Sequence, residues 1–177
     1  MTSLSAAIRE VLLEAEPRAK VMATRALVRA WRRNALASDF STAMPDRPAV
    51  PPGLELLPPA RMPKRGRGQS ERGRVALWHA LAHIEYVAID LALDMAGRFG
   101  SEMGRGFVDD FLSVAADEAM HFALIARKLE QLGARYGDLP AHGGLWDAAT
   151  ATREDVAARL AVVPMVLEAR GLDVTPA

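Results

Sequence analysis

Two long stretches of helical periodicity lie almost end to end in this chain, and they limit the fold more than anything else in it. In residues 71–99 the apolar stripe runs Trp78, Leu81, Ala82, Ile89 and Ala92; in 102–132 it runs Phe111, Ala115, Phe122, Ile125, Leu129 and Leu132. Spacings of three and four residues put each set on one face of an α-helix. Ser70 or Glu71 is placed to open the first helix and Gly100 to end it, and Gly133 is placed to close the second. So short a link forces neighbouring helices back on themselves, which predicts an antiparallel hairpin.

The remaining sequence predicts an all-α protein in three parts. Residues 1–37 read as a helical pair. The first helix, 3–15, has Ser3 or Ser5 as cap and Ile8, Val11, Leu12 and Ala15 as its stripe, and Pro17 starts the second. From 38 to 70 the texture changes: seven prolines fall between Pro45 and Pro63, followed by the basic run Lys64-Arg65-Gly66-Arg67-Gly68. Such a segment sustains neither helix nor central strand, so an extended strap is expected, anchored by Leu54, Leu56 and Leu57. Residues 71–177 then supply the bundle. The hairpin is followed by a Gly/Pro-containing connection over 134–151 and a third helix from a Thr152 cap to Arg170, kinked at Pro164 and stopped by Gly171.

Composition removes several classes of chemistry. With no cysteine, disulfides, zinc–thiolate sites, iron–sulfur clusters and thiol nucleophiles are excluded. No uninterrupted apolar run reaches the roughly 20 residues of a bilayer span, and residues 1–16 are charged and amphipathic rather than signal-like. The expectation is a cytoplasmic protein with no membrane or DNA partner. A net charge of zero hides an asymmetry: residues 1–74 carry 14 Lys/Arg against 7 Asp/Glu, and residues 75–177 carry 8 against 15. Either the basic part wraps the acidic one, or it forms a patch for an acidic partner such as RNA. No RNA-binding motif with interleaved aromatics accompanies it.

Carboxylates interrupt the stripes. Glu85 falls within the first, and Glu118 lies between Ala115 and Phe122 in the second, with His121 one turn on. In the third helix Ala157, Leu160 and Ala161 lead to Glu168. An ionised carboxylate in a bundle core costs several kcal/mol unless compensated. The facing positions read Ala, Leu, Phe and Ile rather than Arg or Lys. Hard cations take oxygen ligands, and imidazole suits iron or manganese. Glu118-Ala119-Met120-His121 is a Glu-x-x-His motif, whose i, i+3 spacing lets both side chains reach one metal. The bland alternatives are a partly exposed Glu118 beside Asp117, a core His121, and a surface Glu168 paired with Arg170 or Arg159. His79 and His83 also have metal-compatible i, i+4 spacing, but they sit on another face from Glu85, with Asp90 and Asp94. They are expected to cap a polar flank or touch the strap, and His142 to be structural.

Three segments carry a family resemblance: Trp78-His79-Ala80-Leu81-Ala82-His83-Ile84-Glu85, Asp117-Glu118-Ala119-Met120-His121-Phe122 and Leu167-Glu168-Ala169-Arg170-Gly171-Leu172-Asp173. Together with the strap and Gly143-Gly144-Leu145-Trp146, they resemble the bacterial ferritin-like family catalogued as domain of unknown function 455. That family is similar to rubrerythrins and to non-haem di-iron tRNA hydroxylases. The resemblance implies a ferritin-like four-helix bundle with two iron ions, or iron and manganese, held by two Glu and two Glu-x-x-His motifs. Glu85 would be the first Glu, Glu118 and His121 the first motif, and Glu168 the second Glu.

A second Glu-x-x-His does not occur before Ala177, and Thr175-Pro176 resembles a helix start. The expectation is a bundle lacking its last helix, with an exposed face that drives homo-oligomerisation. In intact form the implied activity is that of a di-iron oxidase or hydroxylase. The alternatives are a non-catalytic iron-handling protein and a helical interaction module completed by another chain.

Overall fold

A computed structural model describes residues 1–63 and 70–162. The fold is all-α: among the described residues there are six α-helices, one 3₁₀ turn and no strand. The chain divides at His142 into a unit of residues 1–142 and a second unit beginning at Gly143.

The first unit is built from two helical hairpins. α1 (Leu4–Leu12) and α2 (Pro17–Arg32) form one, and α3 (Glu71–Met103) and α4 (Arg105–Gln131) the other. Local chemistry fixes their ends. The Ser3 hydroxyl accepts from the Ala6 N–H and caps α1, and Ser70 caps α3 in the same way through Gly73. The Glu16 carboxylate caps α2 through the Arg18 and Ala19 amides, directly before Pro17. Past Gln131, Gly133 adopts φ +74°, a conformation that costs glycine least.

Gly100 does not end α3 as its residue type suggests. The helix runs on to Met103 and turns at Gly104, which takes φ +84°. Gly100 is instead a packing residue: a Cβ there would lie 2.5 Å from the Phe40 ring and 2.7 Å from the Val108 side chain. The glycine lets the chain after α2 and the start of α4 close onto α3.

α1 packs on α3, and α2 packs on both α1 and α4. Ile8, Leu12, Val28, Trp31, Ile89, Leu93, Ala96, Val108 and Leu112 form the shared core. As a result α3 is buried on every side from Ile89 to Gly97, including the face that sequence reasoning left polar. Asp90 and Asp94 are core residues. The Lys20 ammonium, 0 % exposed, lies 2.7 Å from Asp90 Oδ1 and also donates to the Leu12 carbonyl. Arg98 pairs with Asp94 at 2.8 Å and donates to the Pro45 carbonyl. By length and composition α3 could cross a bilayer, its best 18-residue window having a mean hydropathy of 1.2. Part of that apolar surface is consumed inside the protein, where 44 % of the window is buried.

The strap is extended along its described length, as expected, but only some of its anchors hold. Leu54 is buried and Leu57 half-buried, whereas Leu56 is exposed. Met44 is a further anchor, buried against the position of Gly97. Backbone bonds from Leu57 N to the Ala141 carbonyl and from Ala141 N to the Glu55 carbonyl join the strap to the segment after α4.

In the second unit the expected connection and third helix are cut differently. α5 (Gly144–Ala151) occupies the end of the predicted connection, and Thr152 terminates it instead of opening the next helix. α6 (Val156–Val162) is capped by Asp155, whose Oδ1 accepts from the Ala157 and Ala158 amides. The buried Arg159 guanidinium donates to the Thr152 hydroxyl and to the Ala149 carbonyl, satisfying the C-terminal end of α5. Pro164, Glu168 and Gly171 lie outside the described residues.

Candidate metal centre

Glu85 projects from the middle of α3, and Glu118 and His121 from the middle of α4, where the hairpin sets the two helices side by side. His121 Nδ1 is 3.2 Å from Glu118 Oε2 and 3.3 Å from Glu85 Oε2. One ligand atom from each residue lies within 4.8 Å of the other two. Three of the four residues singled out in the sequence therefore converge from two helices, and the fourth, Glu168, falls outside the described residues.

The site is shallower than the interrupted stripes suggest. The Glu85 and Glu118 side chains are 22 % and 23 % exposed, and His121 is 47 % exposed. The reason is architectural: α1 and α2 cover the opposite side of α3, so among the described residues the triad faces outward. Helical spacing puts Leu77 and Ile84 on the same side of α3, and Val114 and Leu124 on that side of α4; all four are exposed.

Electrostatics bind the three groups into a unit. Burial pushes the Glu118 carboxyl up to about 7, and the neighbouring Glu85 carboxylate adds to this, while His121 pulls the other way. Burial would lower His121, but hydrogen bonds and charge from Glu118 and Glu85 outweigh it and hold the imidazole above its ordinary value. Two carboxylates and an imidazole thus compete for protons in one half-buried place. A hard divalent cation would satisfy the same donors, so the donor set fits iron or manganese.

The other histidines are engaged elsewhere, and not by the strap. His79 Nε2 accepts from the Gly137 N–H at 3.0 Å and more weakly from Leu139 N–H. His83 Nε2 lies 3.1 Å from the His142 carbonyl and Nδ1 lies 2.8 Å from the Tyr136 hydroxyl. A carbonyl can only accept, so Nε2 carries the proton and Nδ1 accepts from tyrosine. Burial holds His79 below its usual range and drives His83 down to about 4. These rings pin the segment after α4 and are not free to bind a metal.

Lys20, with its partner Asp90, escaped the sequence reading. The available signal was a lone lysine among arginines, at i, i+4 and i, i+8 from Thr24 and Val28 on the apolar face of α2. The pair adjoins an aromatic group of Tyr86, Phe122 and Tyr136, whose ring centroids are 5.2 Å apart in every pairing. The Lys20 ammonium lies 4.8 Å from the Tyr86 ring centre.

A family model described as "Protein of unknown function (DUF455)" matches residues 13–177. An "Uncharacterized protein" of Haemophilus influenzae (strain ATCC 51907 / DSM 11121 / KW20 / Rd) is 48 % identical over 144 residues. The alignment covers 78 % of this chain and 48 % of the relative, so the chain spans about half the relative's length. No solved structure matches the chain.

Proposed function

This chain belongs to the DUF455 family, and on that premise we propose that it is a ferritin-like, carboxylate-bridged dimetal protein whose intact form is a non-haem di-iron oxidase or hydroxylase. The observation that supports the reading is the convergence of Glu85 with the Glu118–His121 pair, within 4.8 Å, from adjacent helices. Glu85 and Glu118 would bridge or chelate, His121 would bind through Nδ1, and Glu168 is the further carboxylate implied by resemblance. A bound iron pair, or iron and manganese, would supply oxygen-dependent oxidation chemistry.

The contribution of the chain itself can be derived from its own residues. The i, i+3 spacing aims Glu118 and His121 at one point, and the rigid hairpin holds Glu85 opposite. The three groups release protons as a cation enters, since the charged carboxylates and neutral imidazole are the binding forms. Tyr86 and Phe122, next in sequence to Glu85 and His121, are buried and supply a dry inner wall behind the ligands.

The openness of His121 supports a second reading, a protein that takes up and passes on iron without oxidising a substrate. Anaerobic iron(II) titration followed by metal analysis and oxygen uptake tests both. Stoichiometric binding that disappears in Glu118→Ala and His121→Ala is expected. Oxygen consumption coupled to loss of an organic substrate favours the oxidase, and binding without it favours iron handling. Retained stoichiometry in both variants overturns the ligand assignment.

A further inference from the structure

We propose that the ligand-bearing face of α3 and α4 is completed by the same face of a second copy of this chain, the two copies together enclosing one dimetal centre. This rests on the metal reading above and names the partner of that site.

The first argument is the ligand count. Carboxylate dimetal centres in helical bundles draw one Glu from each of two helices and one Glu-x-x-His from each of two others. The hairpin offers one of each: Glu85 from α3, and Glu118 with His121 from α4. A two-fold operation doubles this to four carboxylates and two imidazoles, the complete set. A single hairpin leaves two metal ions short of donors.

The second argument is the rim. Leu77, Ile84, Val114 and Leu124 surround the triad, and Leu124 is 59 % exposed. Burying them against their own symmetry mates removes apolar surface from water. The third is charge. Along α4, Asp110 and Asp117 precede His121, and Arg127 and Lys128 follow it. A two-fold axis perpendicular to the helices and passing near His121 lays α4 antiparallel on its copy. The acidic half of each helix then faces the basic half of the other. An isologous contact of this kind closes on itself and yields a dimer rather than a fibre.

The test uses the full chain in sedimentation velocity, with manganese(II) or anaerobic iron(II) present or chelated, alongside metal analysis. The expected result is a dimer with one metal per chain whose dissociation constant rises at least tenfold on chelation. Leu124→Asp and Leu124→Arg alter an exposed position and should leave helical circular dichroism unchanged. Both should give monomers with at least tenfold weaker metal binding. Using both signs of charge separates loss of the interface from direct attraction or repulsion of the cation. A monomeric wild-type chain that binds metal stoichiometrically overturns the second copy and leaves the metal reading standing. So does a metal-bound dimer indifferent to both Leu124 variants. A chain that binds neither metal, as monomer or dimer, sinks the metal reading and this inference together.

Discussion

Lys20 Nζ meets Asp90 Oδ1 at 2.7 Å with both side chains buried, tying the N-terminal hairpin to the helix that carries Glu85. Burial drives the Asp90 carboxyl up to about 6, further than the ammonium draws it down. Removing one partner leaves a charge stranded in the core. Lys20→Met should therefore cost about 3–5 kcal/mol, while Lys20→Met with Asp90→Leu should recover most of it. Urea denaturation of the three proteins measures the difference, and a double variant as unstable as the single one would contradict the account.

Glu118 makes the metal-free protein sensitive to alkali. Its folded-state value is raised to about 7 from an ordinary 4.5, so its contribution to stability is fully present below about 4.5 and is lost as the pH rises through 7. Because the side chain is partly solvated, the effect is on the order of 1–2 kcal/mol. Thermal melts of chelated wild type and Glu118→Gln at pH 5.5 and 8 should show a larger loss on alkalisation in wild type. Parallel behaviour of the two proteins would rule this out.

His83 acts in the opposite direction. Its folded-state value is depressed to about 4 from 6.5, so the stability it contributes is present above 6.5 and is lost as the pH falls towards 4. A His83→Gln protein should lose less stability than wild type between pH 6.5 and 4.5. Proton exchange of the Gly137 amide, beside this anchor, should quicken in wild type over the same interval; a flat rate would argue against the buried neutral ring.

Gly100 and Gly97 should respond unequally to alanine. At Gly100 the new methyl meets the Phe40 ring and Val108, two stiff neighbours. At Gly97 it meets the flexible end of Met44 and, at 3.2 Å, Ile8. Gly100→Ala should destabilise by about 2–3 kcal/mol and Gly97→Ala by less, since methionine can repack. Equal losses in chemical denaturation would show that helix continuity, rather than packing, governs these sites.

Much of the hairpin was legible because periodicity and short links act locally. Ser3, Ser70, Pro17 and Gly133 mark helix ends through bonds made within a turn of the chain. Gly100 misled for the same reason: its residue type signals a stop, but its role depends on Phe40, sixty residues away. Asp90 and Asp94 looked like a solvent face because only the packing of α1 and α2 buries them. Thr152 looked like a cap, but Asp155 has the carboxylate placed to receive two amide protons at the start of α6.

By itself the sequence determined that Glu85, Glu118 and His121 stand at helical register with one another across an antiparallel pair. Periods of three and four residues and a one-glycine turn leave little other choice. Tertiary structure alone decided which side of that pair is covered. The N-terminal hairpin buries the Asp90 side through Lys20, because burial depends on which surfaces meet in space and no local pattern encodes it. The triad is left on the outward face, where the donors can be reached.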